Sequence, residues 1–450
     1  MTEHPVVREV DLLIRGGMAL TMSIPDDILD DPLIVVDGGR ILHVGRRDLQ
    51  VEAGYRPKET LVADGHMILP GLVNTHAHLP MVCFRGLADD LPLMSWLREH
   101  IFPAEAKHVS REMVYAGSTL AIAEMILSGT TTCCDAYFYE SSVARAAVDC
   151  RFRLVPCQGF LDNGPVEGGD LLRQTEVART FVEKWSHDSP LIVPALACHA
   201  AYTCRSDTLQ SIKRIACEKN VLFMIHLSET REEVEEIRTR YGTTPVRYLH
   251  RLGLLDKRTL AVHCNWLDPE EIDLLTECDV KISHNPESNM KLASGMAPVP
   301  DLLVRGLDIG LGTDGAASNN DLDMFGEMSA AARYHKLKEN NPTLMDATVV
   351  TVMATLGGAR ALHLDATIGS IECGKSADLI LLDLEKPHLT PMYNPDSHLV
   401  YAASGADVST SIIHGKIVMK DRKLLTIDVD EAMREVRKIA GKISGKIRTS

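Results

Sequence analysis

Apolar and polar positions fall into two textures along this chain. In the middle, short apolar runs recur at 67–76, 129–135, 152–157, 191–199, 222–226, 259–263, 279–284 and 308–314. Stretches with apolar residues at helical spacing lie between most of them, as at 111–127, 208–217 and 233–249. Strand then helix, repeated, predicts an α/β chain whose parallel strands close into a (β/α)₈ TIM barrel. On either side the runs are short and stopped by glycine. Residues 11–17 and 33–41 end in Gly pairs, and Asp37-Gly38-Gly39 suits a hairpin turn. Residues 377–383 read as one strand, and 411–419 as two strands around His414-Gly415.

Neither flank is large enough to bury a core alone. Together they predict one composite β-sandwich, built from residues 1–66 and 367–427, beside a barrel over 67–366. Residues 428–450 close the chain with a helix. Asp430 and Glu431 stand near its start and Lys438 and Lys442 toward its end, as the helix dipole favours.

The chemistry lies where the middle runs stop. The first ends in His76-Ala77-His78, and alternate residues of a strand share a face. Later runs end in His226, His263 and Asp314. In a (β/α)₈ barrel such ends gather on one rim. Three imidazoles (His76, His78, His226) and one carboxylate (Asp314) suit a divalent cation, Zn²⁺ first and Fe²⁺ second. A cation held with one open position lowers the pKa of bound water toward neutrality. A binuclear site of this kind needs a bridging anion, commonly a carboxylated lysine ending the fourth strand. That strand ends Ala197-Cys198-His199, so one metal per chain is predicted, and His263 is left for proton work. Glu229 follows His226 by three residues and can act as a general acid, and Asp314 can accept a proton from water. The plain competing readings are a helix-start charge for Glu229 and a buried structural histidine for His263.

Composition narrows the partners. The net charge of −15 and the 5% aromatic content argue against nucleic acid and acidic membrane surfaces. No run is long enough to span a bilayer, and the N-terminus has no secretory pattern. The eleven cysteines include no C-x-x-C pair, and Cys133, Cys134, Cys157 and Cys198 sit in apolar runs. Free buried thiols in the cytoplasm are the expectation. Homo-oligomerisation stays open.

The run Pro70-Gly71-Leu72-Val73-Asn74-Thr75-His76-Ala77-His78 resembles the first-strand signature of the amidohydrolase superfamily. The stretches 84–94, 103–106, 283–295 and 312–320 resemble, more narrowly, the 5-methylthioadenosine/S-adenosylhomocysteine deaminases. The likeness covers about 65–445. It implies a metal-dependent hydrolase barrel that deaminates 6-aminopurine nucleosides, with Glu229 delivering a proton to N1. Asp314 and His263 then carry the water's proton to departing ammonia. It also implies that Glu105 binds the ribose, a carboxylate being able to accept from both hydroxyls, and that His199 touches the substrate. Trp96 is a candidate to pack on the purine or the thioether, a core tryptophan being the alternative.

Two departures stand out. Many members read His-x-Pro-Tyr after the fourth strand, where this chain reads His199-Ala200-Ala201-Tyr202. Some carry an Arg after the third strand that could hold an amino-acid carboxylate, where this chain has Gln158. The expectation therefore favours 5′-methylthioadenosine or adenosine over S-adenosylhomocysteine. Two rivals remain. One is a deaminase or chlorohydrolase acting on guanine, pterins, cytosine or s-triazines, which has no need of Glu105. The other is a non-catalytic scaffold, which has no need of the metal ligands.

Overall fold

A computed structural model describes residues 7–23, 28–162 and 170–444. Eight parallel strands follow one another in chain order: Leu72–Ala77, Thr130–Tyr137, Arg153–Phe160, Ala195–Ala200, Phe223–Leu227, Thr259–His263, Lys281–His284 and Ile309–Leu311. A parallel bridge between Ala77 and Asp314 joins the last strand's end to the first and closes the barrel. Alternate residues point inward. Val73, Cys134, Val155, Cys157, Ala195, Met224, Leu260 and Val262 form a dry interior with Leu362, Leu364 and Ile368. The other strand faces pack on the outer helices, so the strands read as continuous apolar runs.

The sandwich is assembled from both flanks. A four-stranded sheet holds Arg8–Arg15, Pro32–Asp37, Arg40–Arg46 and Tyr55–Val62. A seven-stranded sheet combines Met18–Leu20, Ile28–Asp30 and His66–Pro70 with Leu379–Asp383, Val408–Ile413, Lys416–Lys420 and Lys423–Leu424. Leu12, Ile14, Ile34 and Val36 meet Ile68, Leu379, Leu381 and Ile412 between the sheets. The His414-Gly415 turn has positive φ at both residues, the geometry that matches strand twist in a two-residue hairpin.

Two expectations need correction. The predicted strand 67–76 is two strands in different sheets. His66–Pro70 pairs antiparallel with Leu379–Asp383, and only Leu72–Ala77 enters the barrel. Pro70 brings no N–H to continue a ladder, and Gly71 lies so close to Thr131 that a Cβ would overlap its side chain. The predicted helix 233–249 is also two, Arg231–Tyr241 and Pro245–Arg251. Gly242 ends the first with φ +67°, and Pro245 starts the second.

Cys133, Cys134, Cys157 and Cys198 are buried and unpaired by disulfides. Among the described residues, no helix is long and apolar enough to cross a membrane. The closing helix, Val429–Ile443, packs on Arg111–Leu127.

At the end of the barrel opposite the rim, a buried ion pair ties the two parts together. Arg153 begins the third barrel strand. Its guanidinium donates to Asp378 at 2.6 and 3.0 Å and to Ser376 Oγ at 2.9 Å. Asp378 also accepts from the backbone N–H of His414. Burial opposes the charge on Asp378, yet Arg153 keeps its carboxyl below the ordinary value. Removing one partner leaves the other charge buried alone. Arg153→Met should therefore cost about 3–5 kcal/mol in urea unfolding, and Arg153→Met with Asp378→Leu should recover much of it. The wild-type advantage should fade as pH falls through the lowered carboxyl value and be fully present near neutrality. A loss below about 1 kcal/mol for the single change would show the pair to be a surface-like contact.

Candidate active site

The rim receives its ligands from strand ends whose local sequence stops the ladder. His76 lies in the first strand, and His78 follows it as the chain turns into the short helix Leu79–Phe84. The backbone N–H of Leu79 donates to Asp135, which pins that turn. His226 is in the fifth strand and His263 ends the sixth. Asp314 follows the eighth and donates its N–H to His76 O.

The side chains converge. His76 Nε2 lies 3.3 Å from His226 Nε2 and 3.3 Å from Asp314 Oδ1. His78 Nε2 is also 3.3 Å from Asp314 Oδ1. The outer ring nitrogens explain the direction. His78 Nδ1 meets Ala136 O at 2.5 Å and His226 Nδ1 meets His199 O at 2.8 Å. A carbonyl only accepts, so both Nδ1 atoms carry the hydrogen and both Nε2 atoms present lone pairs inward. Asp314 is handled likewise. Ser288 and Ser318 hydroxyls donate to its Oδ2 at 2.6 and 3.0 Å, leaving Oδ1 for the cluster.

Such a set of acceptors needs positive charge. Burial drives His76 down to about 4 and His226 well below its ordinary value, so both rings favour the neutral form that a metal ligand needs. Burial also opposes a charge on His78, but the Asp314 carboxylate beside it lifts the ring to about 9. Asp314, though buried, is held well below the carboxylate range by His76 and His78. The donor set therefore fits a divalent cation of the zinc type. Two triads share His76: one with His78 and Asp314, the other with His226 and His263. His263 is thus close enough to be a ligand as well as a proton carrier.

A cleft opens over this cluster, lined by His78, His226, His263 and Asp314 together with Glu105, His199, Glu229 and Trp96. Glu229 lies outside the helix Arg231–Tyr241, which Thr230 caps. It is buried, and its Oε2 is 3.7 Å from His263 Nε2. Glu233 fixes that turn by accepting from the N–H groups of Ser228 and Glu229 at 3.0 and 2.7 Å. Burial raises the Glu229 carboxyl above its ordinary value. Glu105 comes from the helix Phe102–His108 and is not a solvated charge. It is buried, accepts from Tyr137 OH at 2.6 Å, and is pushed by burial up to about 7. His199 Nδ1 lies 2.9 Å from Thr203 Oγ1. Trp96 is buried against the cleft, its indole N–H donating to Ala88 O at 3.0 Å.

Gln158 sits elsewhere. It is the sixth residue of the strand Arg153–Phe160 and faces a separate hollow beside Arg111, Tyr139 and Lys184. Gln158 is therefore not among the residues that line the cleft. Apolar walls are supplied by Leu93, Leu97, Ile101, Phe102, Phe138 and Phe160. Reading strand ends missed Tyr137, although it too ends a strand. It missed Ser288 and Ser318 because they reach Asp314 from beyond the strand ends, Ser288 from the short helix Pro286–Lys291 and Ser318 from the turn after the eighth strand.

Comparison with known proteins agrees with this geometry. Residues 67–418 match the model of the family described as "Amidohydrolase family". A 5-methylthioadenosine/S-adenosylhomocysteine deaminase of Syntrophobacter fumaroxidans is 50% identical over 436 residues, 96% of this chain and 98% of that one. A 5′-deoxyadenosine deaminase of Methanothermobacter thermautotrophicus is 47% identical, covering 85% of this chain and 88% of its own. The crystal structure of an adenosine deaminase from Xanthomonas campestris with bound zinc superimposes with a TM-score of 0.95 at 37% identity, over 98% of this chain and all of that one. With a histidine pair at the first strand's end, ligand-type residues on the rim and a family match across the barrel, this chain belongs to the amidohydrolase family.

Proposed function

We propose that this protein removes ammonia from adenine nucleosides by hydrolysis, converting the 6-amino purine to its 6-oxo counterpart. The observation that carries this reading is the pairing of two features in one cleft. A buried acid and a histidine adjoin a cation-type cluster, and a buried carboxylate, Glu105, lines the same space.

His76, His78, His226 and Asp314 would hold one divalent cation, zinc first and iron(II) second. When bound, that cation acidifies water toward neutrality and so supplies the nucleophile. Glu229, whose carboxyl burial raises above its ordinary value, donates to ring N1 as C6 becomes tetrahedral. His263 and Asp314 take one proton from the attacking water and return it to the departing amine, and the new C6 hydroxyl gives the other back to Glu229 as the C–N bond breaks and the carbonyl forms. One water is consumed and one ammonia leaves. Glu105, oriented by Tyr137, accepts from the ribose hydroxyls. His199 and Trp96 complete the walls around the base. Guanine, pterins and s-triazines lack the ribose that gives Glu105 work, and a scaffold has no use for a buried ligand set.

The 5′ end is addressed by side chains without positive charge. Among the described residues lining the cleft there is no lysine or arginine. The neighbouring hollow, which shares Phe102 and Leu161 with the cleft, holds Arg205 and Arg240. Arg240 donates to Glu236, and Arg205 lies 3.4 Å from Asp207 and 3.6 Å from Asp162. These surroundings favour small uncharged 5′ groups.

Three outcomes test this reading. Elemental analysis should find about one zinc or iron per chain, and chelation should abolish turnover until metal is restored. Glu229→Gln should keep the metal yet lower kcat by roughly 10²–10⁴, and near wild-type turnover would remove Glu229 from its role. In an ammonia-release assay, 5′-deoxyadenosine, 5′-methylthioadenosine and adenosine should each exceed S-adenosylhomocysteine in kcat/KM by about tenfold or more, a gap of about 1.4 kcal/mol. No turnover of any of the four would end the proposal.

A further inference from the structure

The helix Pro286–Lys291 follows the seventh barrel strand and carries two adjacent residues that reach the rim. Ser288 holds Asp314, and Asn289 holds His263. Asn289 is one member of a buried chain of three hydrogen bonds. His263 Nδ1 lies 2.9 Å from Asn289 Oδ1, Asn289 Nδ2 lies 2.9 Å from Asn265 Oδ1, and Asn265 Nδ2 lies 2.9 Å from the backbone carbonyl of Glu229. His263, Asn289 and Asn265 are all at most 5% exposed, so water does not compete for these contacts.

The chain has a direction, and its last member sets it. The Glu229 carbonyl can only accept, so the amide of Asn265 must turn its NH₂ toward it. Asn265 then offers only its oxygen to Asn289, which must donate its own NH₂ in return. Asn289 therefore faces His263 with a carbonyl oxygen, and the hydrogen of the neutral imidazole must sit on Nδ1. Reversing any one amide would place two oxygens or two NH₂ groups against each other in a dry interior. That costs more than the bond it replaces.

We infer that Asn289 and Asn265 are positioning residues that lock His263 in its Nδ1–H tautomer and aim the Nε2 lone pair at the reacting end of the cleft. The lock runs through the backbone of Glu229, so the histidine and the proposed acid are set by one network. Ser294, just beyond the helix, adds a long contact of 3.4 Å to Glu229 Oε1. The tautomer matters because His263 can then accept a proton on Nε2 without first losing one there. It matters equally if Nε2 ligates the cation. The inference rests on the deaminase reading only for its kinetic arm. The tautomer itself is a property of the folded chain.

The test is nitrogen NMR of zinc-loaded protein labelled with ¹⁵N-histidine, with the His263 signals assigned by their loss in His263→Gln. In the wild type, Nδ1 of His263 should be protonated and Nε2 not, and a hydrogen found on Nε2 would overturn the proposal without any variant of the network. In Asn289→Leu the Nδ1–H should lose its single form. On adenosine, kcat should fall about 10- to 100-fold, the usual size of losing a partner behind a ligand or catalytic histidine, with KM changed less than about threefold. Asn289→Asp keeps an oxygen facing Nδ1–H and should restore the tautomer, while its second oxygen opposes Asn265 Oδ1 and keeps kcat below the wild-type value. An unchanged tautomer in Asn289→Leu would refute the lock. If the wild type turns over no adenine nucleoside but shows the predicted tautomer, the deaminase reading fails and this inference stands.

Discussion

The whole rim depends on one electrostatic constraint: several lone pairs and a carboxylate are forced toward a single point. His76 Nε2 stands 3.3 Å from His226 Nε2 and from Asp314 Oδ1, and His78 Nε2 stands 3.3 Å from the same oxygen, all in a buried space. The fold imposes this from outside the cluster. Carbonyl groups of neighbouring strand ends take the Nδ1 hydrogens of His78 and His226, and two serine hydroxyls take the far oxygen of Asp314. Each of these bonds is ordinary in strength, near 1 kcal/mol or somewhat more at a charged group. Their combined effect is to hold His78, His226 and Asp314 against turning away. The cluster therefore favours positive charge at that point, as the raised His78 ring shows.

Backbone geometry shows the same bias toward chemistry over comfort. Ser228, His263, Cys264 and Asp314 have φ between 51° and 72°. None is glycine, and such conformations cost of order 1–3 kcal/mol each. They fall where strands Phe223–Leu227, Thr259–His263 and Ile309–Leu311 must end and swing a side chain over the barrel mouth. Local hydrogen bonds hold them there. Glu233 accepts from Ser228 and Glu229, Cys264 N donates to Leu227 O, and Asp314 N donates to His76 O. The opposite end of the barrel has a different task. There Arg153 and Asp378 join the barrel to the sandwich through contacts that touch nothing in the cleft. Stability and reactivity are thus separated along one axis, as is general for this architecture.

What the bare sequence revealed, and what it hid, follows from the range of each signal. Strand ends bearing His76, His78, His226, His263 and Asp314 were legible because a barrel collects the ends of all its strands in one place. The split at Pro70-Gly71 was hidden because an apolar run looks the same whether one sheet or two bury it. The break at Gly242 in the predicted helix was hidden because apolar spacing continues in phase across a tight turn. Tyr137, Ser288 and Asn289 escaped because they act on other side chains, and neither period nor composition records a contact between segments distant in sequence. Gln158 was misplaced for a related reason. The end of its strand was set too early, and one residue in a strand decides which side of the wall a side chain faces.

Glu229 and His263 come from consecutive strand-to-helix connections, and their approach to 3.7 Å could have been left to packing. It is not. Asn265 lies two residues beyond His263 yet binds the carbonyl of Glu229, so each connection is anchored on the other. A shift of one would drag its partner rather than open a gap between them. Geometry that depends on two loops moving independently would be lost at amplitudes of an ångström. The bond from Asn265 to the Glu229 carbonyl ties the two connections together beside the cluster of imidazoles. The chemistry of the rim is therefore organised by polar side chains that need never touch a substrate.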